Sequence, residues 1–163
     1  MMSRTGLKTT TALLVNLVIK MKKILFVCTG NTCRSPMAQA IFNKLSEGMD
    51  LSASSCGIYA DGISPISDNA KNVLKEIGII FTHISTPITR DLINEADYIV
   101  GMTSYHAENI ISIFPDFAEK VYAVPKDISD PYGSNIEMYR SCRDEIEVYV
   151  KSLIETLTGD NND

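Results

Sequence analysis

Cys28 and Arg34 stand six positions apart in Cys28-Thr29-Gly30-Asn31-Thr32-Cys33-Arg34-Ser35, which follows the apolar run Ile24-Leu25-Phe26-Val27 at once. A thiol, a planar cation and a Gly-Asn pair at this spacing predict a loop closed around one oxyanion. The strand delivers the sulfur, and the loop turns its amide N–H groups inward. Ser35 and Pro36 open a helix whose positive end faces the same point. Pro36 is expected at the first helical position, where its missing N–H is not needed. A cysteine so placed is expected as a thiolate at neutral pH. The chemistry implied is attack of sulfur on phosphorus, through a thiophosphate ester. Arg34 grips two phosphate oxygens with its fork, more tightly as charge builds in the transition state; lysine could not copy that geometry. Gly30 and Asn31 supply backbone freedom, Asn tolerating the left-handed region better than most residues. Ser35 either caps the helix or donates its hydroxyl to the sulfur, and the two roles look identical in sequence.

Departure of a leaving group needs a general acid. Asp127 and Asp130 both fall in the loop Lys126–Gly133, and spacing alone does not separate them. Pro131 stiffens the chain beside Asp130, although Asp-Pro is also a common turn pair. Tyr132 can wall the pocket. Cys33 lies five residues from Cys28 and is either its reversible disulfide partner, a shield against over-oxidation, or a bystander. Cys56 and Cys142 read as core thiols. His83 is open to a role as base, whereas His106 reads as a helix-surface residue. Glu137, Asp144, Glu145 and Glu147 read as a solvated helix face.

The 163 residues, 45% hydrophobic and 21% charged, suit one domain with a sizeable core. Net charge is −5, and the first twenty residues hold Arg4, Lys8 and Lys20 with no acid, so the remainder is more acidic still. That excludes nucleic-acid binding through bulk charge and makes any attraction to phosphate local. Four irregularly spaced cysteines do not form a disulfide framework. Without paired C-x-x-C motifs or clustered histidines, no metal is expected, and no cofactor. A reduced, cytoplasmic setting fits. Residues 1–20 carry an apolar run, Thr10–Ile19, too short for a membrane span and with no small-x-small cleavage site before Met21-Lys22-Lys23. They are expected to be an extension upstream of a start at Met21 rather than an export signal, and no membrane partner is expected.

These residues need a scaffold, and the apolar periodicity predicts one. Strands are expected at Ile24–Val27, Leu51–Cys56, Tyr98–Val100 and Val121–Val124. Helical stripes run through Met37, Ala38, Ile41, Phe42 and Leu45, and through Ala70, Val73, Leu74 and Ile77. A short helix covers Thr89–Glu95, and a further stripe runs through Ala107, Ile110, Ile111 and Phe114. Ser134-Asn135-Ile136-Glu137 reads as a capping box opening a last helix striped by Ile136, Tyr139, Ile146, Val150, Leu153 and Leu157. Alternating strands and helices with short links predict a parallel sheet covered on both faces, its ligand at the carboxyl ends of the strands.

The loop, its leading strand and Asp130-Pro131-Tyr132 together resemble the low-molecular-weight protein tyrosine phosphatase family, over nearly all of Met21 to Leu157. Ser55-Cys56-Gly57 is similar to the segment after the family's second strand, and Ala96–Met102 to its third strand. Thr32 and the run His83–Thr89 are most like its bacterial protein-arginine phosphatase branch. The resemblance implies an α/β single-domain three-layer sandwich, with a four-stranded parallel sheet in order 2-1-3-4 and helices on both faces. The phosphatase domain is expected over 21–158, with a frayed end at 159–163. It further implies Cys28, Arg34 and Asp130 as catalytic. Thr29, Gly30, Asn31, Thr32, Cys33, Ser35 and Tyr132 are implied around the phosphate and substrate, with Ser55 and His83 behind them holding Asn31. Substrates would be phosphorylated proteins, with inorganic phosphate or other oxyanions binding the loop of a monomer. Thr at position 32 goes with phosphoarginine in this family and an aliphatic residue with phosphotyrosine, since a hydroxyl can accept a guanidinium N–H. Phosphotyrosine is the near alternative. An arsenate reductase would want two further cysteines after the second helix, and residues 78–100 contain none. A cysteine phosphocarrier would be undone by the hydrolysis that Arg34 and Asp130 promote.

Overall fold

The computed structural model describes residues 20–159. Its strands are β1 (Lys22–Cys28), β2 (Leu51–Gly57), β3 (Tyr98–Gly101) and β4 (Val121–Ala123). They form one parallel sheet in the order β2-β1-β3-β4. The helices are α1 (Arg34–Leu45), α2 (Asp68–Glu76), α3 (Arg90–Glu95), α4 (Ser104–Ile113) and α5 (Ile136–Gly159), with a 3-10 turn at Pro115–Lys120. The extension expected over residues 1–20 and the frayed end lie outside the described residues, apart from Lys20 and Gly159.

Alternation along β1 builds two cores. Ile24, Phe26 and Cys28 face one way, into Met37, Ala38, Ile41 and Phe42 of α1 and Ile146, Val150 and Ile154 of α5. Leu25 and Val27 face the other way, against Ile93 of α3 and Ile110 of α4. A strand buried on both faces needs apolar residues at every position, which is why its sequence reads as an unbroken run. Phe26 meets the edge of Phe42 with ring centroids 5.8 Å apart. The long α5 buries Tyr139, Cys142, Ile146, Val150 and Leu157 along one stripe, and Arg143 fastens it to α2 by donating to the Val73 carbonyl at 3.0 Å.

The chain leaves β1 toward β2 on one side, and β3 sits on the other, so the sheet's order reverses at β1. Cys28 pairs in register with Gly57, and Val27 with Gly101. Three strands therefore end together at the point where parallel sheets hold their ligands.

Two helix starts differ from expectation. Helix α1 begins at Arg34, so Pro36 is its third residue and not its first. Its missing N–H is still harmless, because the first α-helical bond runs from Met37 N to the Cys33 carbonyl, at 3.2 Å. Ser35 is thus inside the helix, and Cys33 occupies the cap position without a side-chain bond. At α5 the cap is Asn135, whose Oδ1 accepts from Met138 N at 3.1 Å. Ser134 belongs instead to a turn closed on Pro131 O, so the expected capping box does not form.

Candidate active site

At the carboxyl end of β1 a cavity of about 300 Å³ is lined by Cys28 through Arg34, Tyr59, Asp61, Ser64, Asp130 and Tyr132. The loop that forms its floor is clamped from behind. Asn31, fully buried, is the one described non-glycine residue with a positive φ, 57°. Its side chain offsets the strain. Nδ2 donates to Ser35 Oγ at 2.7 Å and to Ser55 Oγ at 2.9 Å. Oδ1 accepts from His83 Nε2 at 2.6 Å and from Thr86 N at 2.8 Å. His83 therefore carries its proton on Nε2, and burial lowers its pKa. Gly30 has no positive φ, and a Cβ there would meet only Thr32 Oγ1 at 3.9 Å. The left-handed requirement falls on Asn31 alone, not on the Gly-Asn pair.

Gly57 explains how the loop lies so close to β2. A Cβ there would sit 2.6 Å from Thr29 O and 2.9 Å from Asn31 N. The neighbouring amides use that proximity: Ile58 N donates to Cys28 O at 3.0 Å and Tyr59 N to Thr29 O at 2.9 Å. On the far side, Ser67 N holds Thr32 O at 2.9 Å.

The Cys28 sulfur lies 2.9 Å from Ser35 Oγ. That hydroxyl already accepts from Asn31, so its own proton faces a choice between the sulfur and Cys56 O at 3.3 Å. Burial pushes the Cys28 thiol up. The Ser35 hydroxyl and amide, the Arg34 guanidinium and the Asn31 amide pull it down. Reasoning from the loop alone counted only the lowering influences. In the fold, burial outweighs them and holds the thiol above its ordinary value, against the expected thiolate.

Arg34 is buried, donates from Nη1 to Ile128 O at 3.0 Å, and places Nη2 3.5 Å from Asp130 Oδ2. Asp130 is half exposed at the rim, and its Oδ1 accepts from Tyr132 N at 3.1 Å. Asp127 is spent elsewhere: its carboxylate accepts from Ser104 N at 2.8 Å and Ser104 Oγ at 3.2 Å, at the start of α4. It does not line the cavity. Tyr132 and Tyr59 stand exposed at the mouth. Cys28, Cys33, Cys56 and Cys142 are free thiols. The Cys33 sulfur is turned toward Tyr139 Oη at 3.4 Å and Ser67 Oγ at 3.5 Å. Among the described residues no group of three or more His, Cys, Asp or Glu could hold a metal ion, and no helix is long and apolar enough to cross a membrane.

Sequence reasoning missed Tyr59, Asp61 and Ser64, which line the cavity from the loop after β2. Their place just beyond a strand's carboxyl end is the signal that marks them. It also misplaced His106. That residue is 1% exposed, not on the helix surface. Its Nε2 lies 2.9 Å from Thr29 Oγ1 and its Nδ1 2.8 Å from Thr103 Oγ1. Burial, then Arg34, pushes its pKa down to about 4. An unfolded chain takes up that proton near the ordinary value, so stability is lost as pH falls through this window. Between pH 7 and pH 5 the share from His106 is about 2 kcal/mol. Urea titrations at the two pH values are expected to show the loss, and a His106→Asn variant to lack that share of it.

The geometry places the chain among cysteine-dependent phosphatases. It belongs to the low molecular weight phosphotyrosine protein phosphatase family, whose profile matches residues 23–162. The chain is 42% identical over 143 residues to a protein-arginine-phosphatase of Geobacillus stearothermophilus, covering 83% of this chain and 95% of that one. It is 38% identical over 136 residues to an arsenate reductase of Brevibacillus brevis, covering 83% and 96%. Among solved structures, a mutant of YwlE from Bacillus subtilis superposes with a TM-score of 0.81 at 36% identity, covering 84% of this chain and 99% of that one.

Proposed function

We propose that this phosphatase hydrolyses phosphoarginine in proteins, acting as a monomer in the cytoplasm. Cys28 is the nucleophile: its thiol proton passes to a phosphoryl oxygen and the sulfur attacks phosphorus as the P–N bond to the guanidine breaks. Asp130 gives its proton to the departing nitrogen. A phosphocysteine remains, held by Arg34 and by the loop amides of Thr29 through Ser35, where inorganic phosphate also binds. Water then attacks that phosphorus, Asp130 takes its proton, and phosphate leaves as the sulfur recovers its electron pair. Ser35 steadies the sulfur, Asn31 with Ser55 and His83 holds the loop, and Tyr132 walls the leaving group.

The observation that carries the substrate class is the lining of the cavity. Thr32 and Asp130 line the same hollow as Cys28 and Arg34. A guanidine leaving group offers N–H donors to both, and a phenol ring offers neither one a donor. The name of the relative from Geobacillus stearothermophilus supports the same reading. The test is phosphate release from phosphoarginine and phosphotyrosine peptides, side by side under reducing conditions. The arginine peptide is expected to be preferred; preference for the aryl ester would overturn the reading. Thr32→Ile is expected to shift the ratio of kcat/KM toward phosphotyrosine by about tenfold.

The arsenate reductase relative makes oxyanion reduction the second reading. It needs a relay of thiols reaching the site. Cys56 and Cys142 are buried away from the cavity lining, which leaves Cys33 as the one thiol beside Cys28 there. Arsenate-dependent oxidation of a thiol reductant would favour that reading, and phosphate turnover without any partner protein disposes of the carrier.

A further inference from the structure

His106 joins two elements, the oxyanion loop and the start of α4. Thr103 Oγ1 caps α4 by accepting from His106 N at 3.2 Å, and the same oxygen lies 2.8 Å from His106 Nδ1. The other ring nitrogen, Nε2, lies 2.9 Å from Thr29 Oγ1, and Thr29 lines the cavity. One neutral imidazole carries one N–H, so this chain has two possible directions.

In one direction Nδ1–H donates to Thr103. The Thr103 hydroxyl proton then has no described acceptor, and Thr29 spends its own proton on Nε2. In the other direction the Thr103 hydroxyl donates to Nδ1, Nε2–H donates to Thr29, and the Thr29 proton is left for an acceptor in the cavity. The second direction uses each donor once and matches a site for an anion that accepts but does not donate. Burial keeps the ring neutral at physiological pH, so the ring does not supply both protons at once.

We propose that His106 is a positioning residue of the site: through Nε2–H it turns the Thr29 hydroxyl into a donor aimed at a phosphoryl oxygen. This rests on the reading that the loop binds the phosphoryl group, and it is independent of which phosphorylated residue is the substrate. Thr29 thereby adds a side-chain donor to the loop amides and Arg34, on the side of the hollow nearest α4. His106 touches no reacting atom and acts only through Thr29.

The test is the affinity of the full-length protein for inorganic phosphate, measured by calorimetry, so that it does not depend on turnover. Thr29→Val is expected to weaken binding about 5- to 10-fold, and Thr29→Ser to leave it near wild type. His106→Asn, too short to reach Thr29, is expected to match Thr29→Val. His106→Gln places an amide N–H near the position of Nε2 and is expected to restore binding. The Thr29→Val/His106→Asn double variant is expected to bind no more weakly than Thr29→Val alone, the mark of a residue acting through its neighbour. Additive losses in the double variant would overturn the proposal, because His106 would then act by another route. Equal phosphate affinity of Thr29→Val and Thr29→Ser would also overturn it, and that comparison stands even where His106→Asn fails to fold. Wild-type phosphate binding without turnover of either peptide would sink the catalytic reading and leave this one intact.

Discussion

Replacing Cys28 by serine is expected to remove turnover by about 1,000-fold or more while leaving phosphate bound. A serine hydroxyl is a far weaker nucleophile than a cysteine sulfur and has no adjacent base here to activate it. The histidines nearest the loop are committed: His83 to Asn31 and His106 to Thr29 and Thr103. The anion site itself survives, because Arg34 and the loop clamp do not depend on the sulfur. Single-turnover kinetics beside calorimetric titration with phosphate separates the two effects. Turnover retained within tenfold of wild type would place the nucleophile elsewhere.

Gly57→Ala is expected to damage activity strongly, though less than loss of the thiol, without touching a reacting atom. The added methyl carbon would stand 2.6 Å from the Thr29 carbonyl oxygen, which already accepts from Tyr59 N. Both obstructing groups, Thr29 O and Asn31 N, are backbone, so no rotamer relieves the contact. Either β2 or the loop moves. Overpacking of this kind costs about 1–3 kcal/mol of stability. A loop displaced by about 1 Å loses on the order of 100-fold in rate. Denaturant titration and kcat/KM are the two measurements. A folded variant with wild-type kcat/KM would show that the close approach is unnecessary.

How much of this was legible depends on whether the cause is local. The loop from Cys28 to Ser35 and the four strands are legible because each rests on a run of adjacent residues: buried on both faces for β1, or an Asn able to turn left-handed between a thiol and a guanidinium. The start of α1 was misread by two residues because Ser-Pro is a strong local signal, and the tight loop pulls Arg34 into the first helical turn. At α5, Ser134 and Asn135 are both good caps; a turn closed on Pro131 claims the serine, and proximity in sequence does not reveal that. Asp127 and Asp130 are inseparable by spacing; in the fold Asp127 binds the N-terminus of α4 while Asp130 lines the cavity. His106 was the largest miss. The apolar stripe Ala107, Ile110, Ile111 and Phe114 leaves a histidine beside it reading as surface, whereas the ring is buried. Thr103 three residues earlier, a good cap, is the clue that the ring points back toward the strand ends.

The clamp on Asn31 has a consequence for how the enzyme comes together. Its partners Ser55, His83 and Thr86 lie 24, 52 and 55 residues further along the chain. Contacts of that separation form late, after the entropy of closing long loops has been overcome. During refolding, helical content is therefore expected to return before catalysis does. A nascent polypeptide still short of residue 86 holds the entire signature motif and none of its competence.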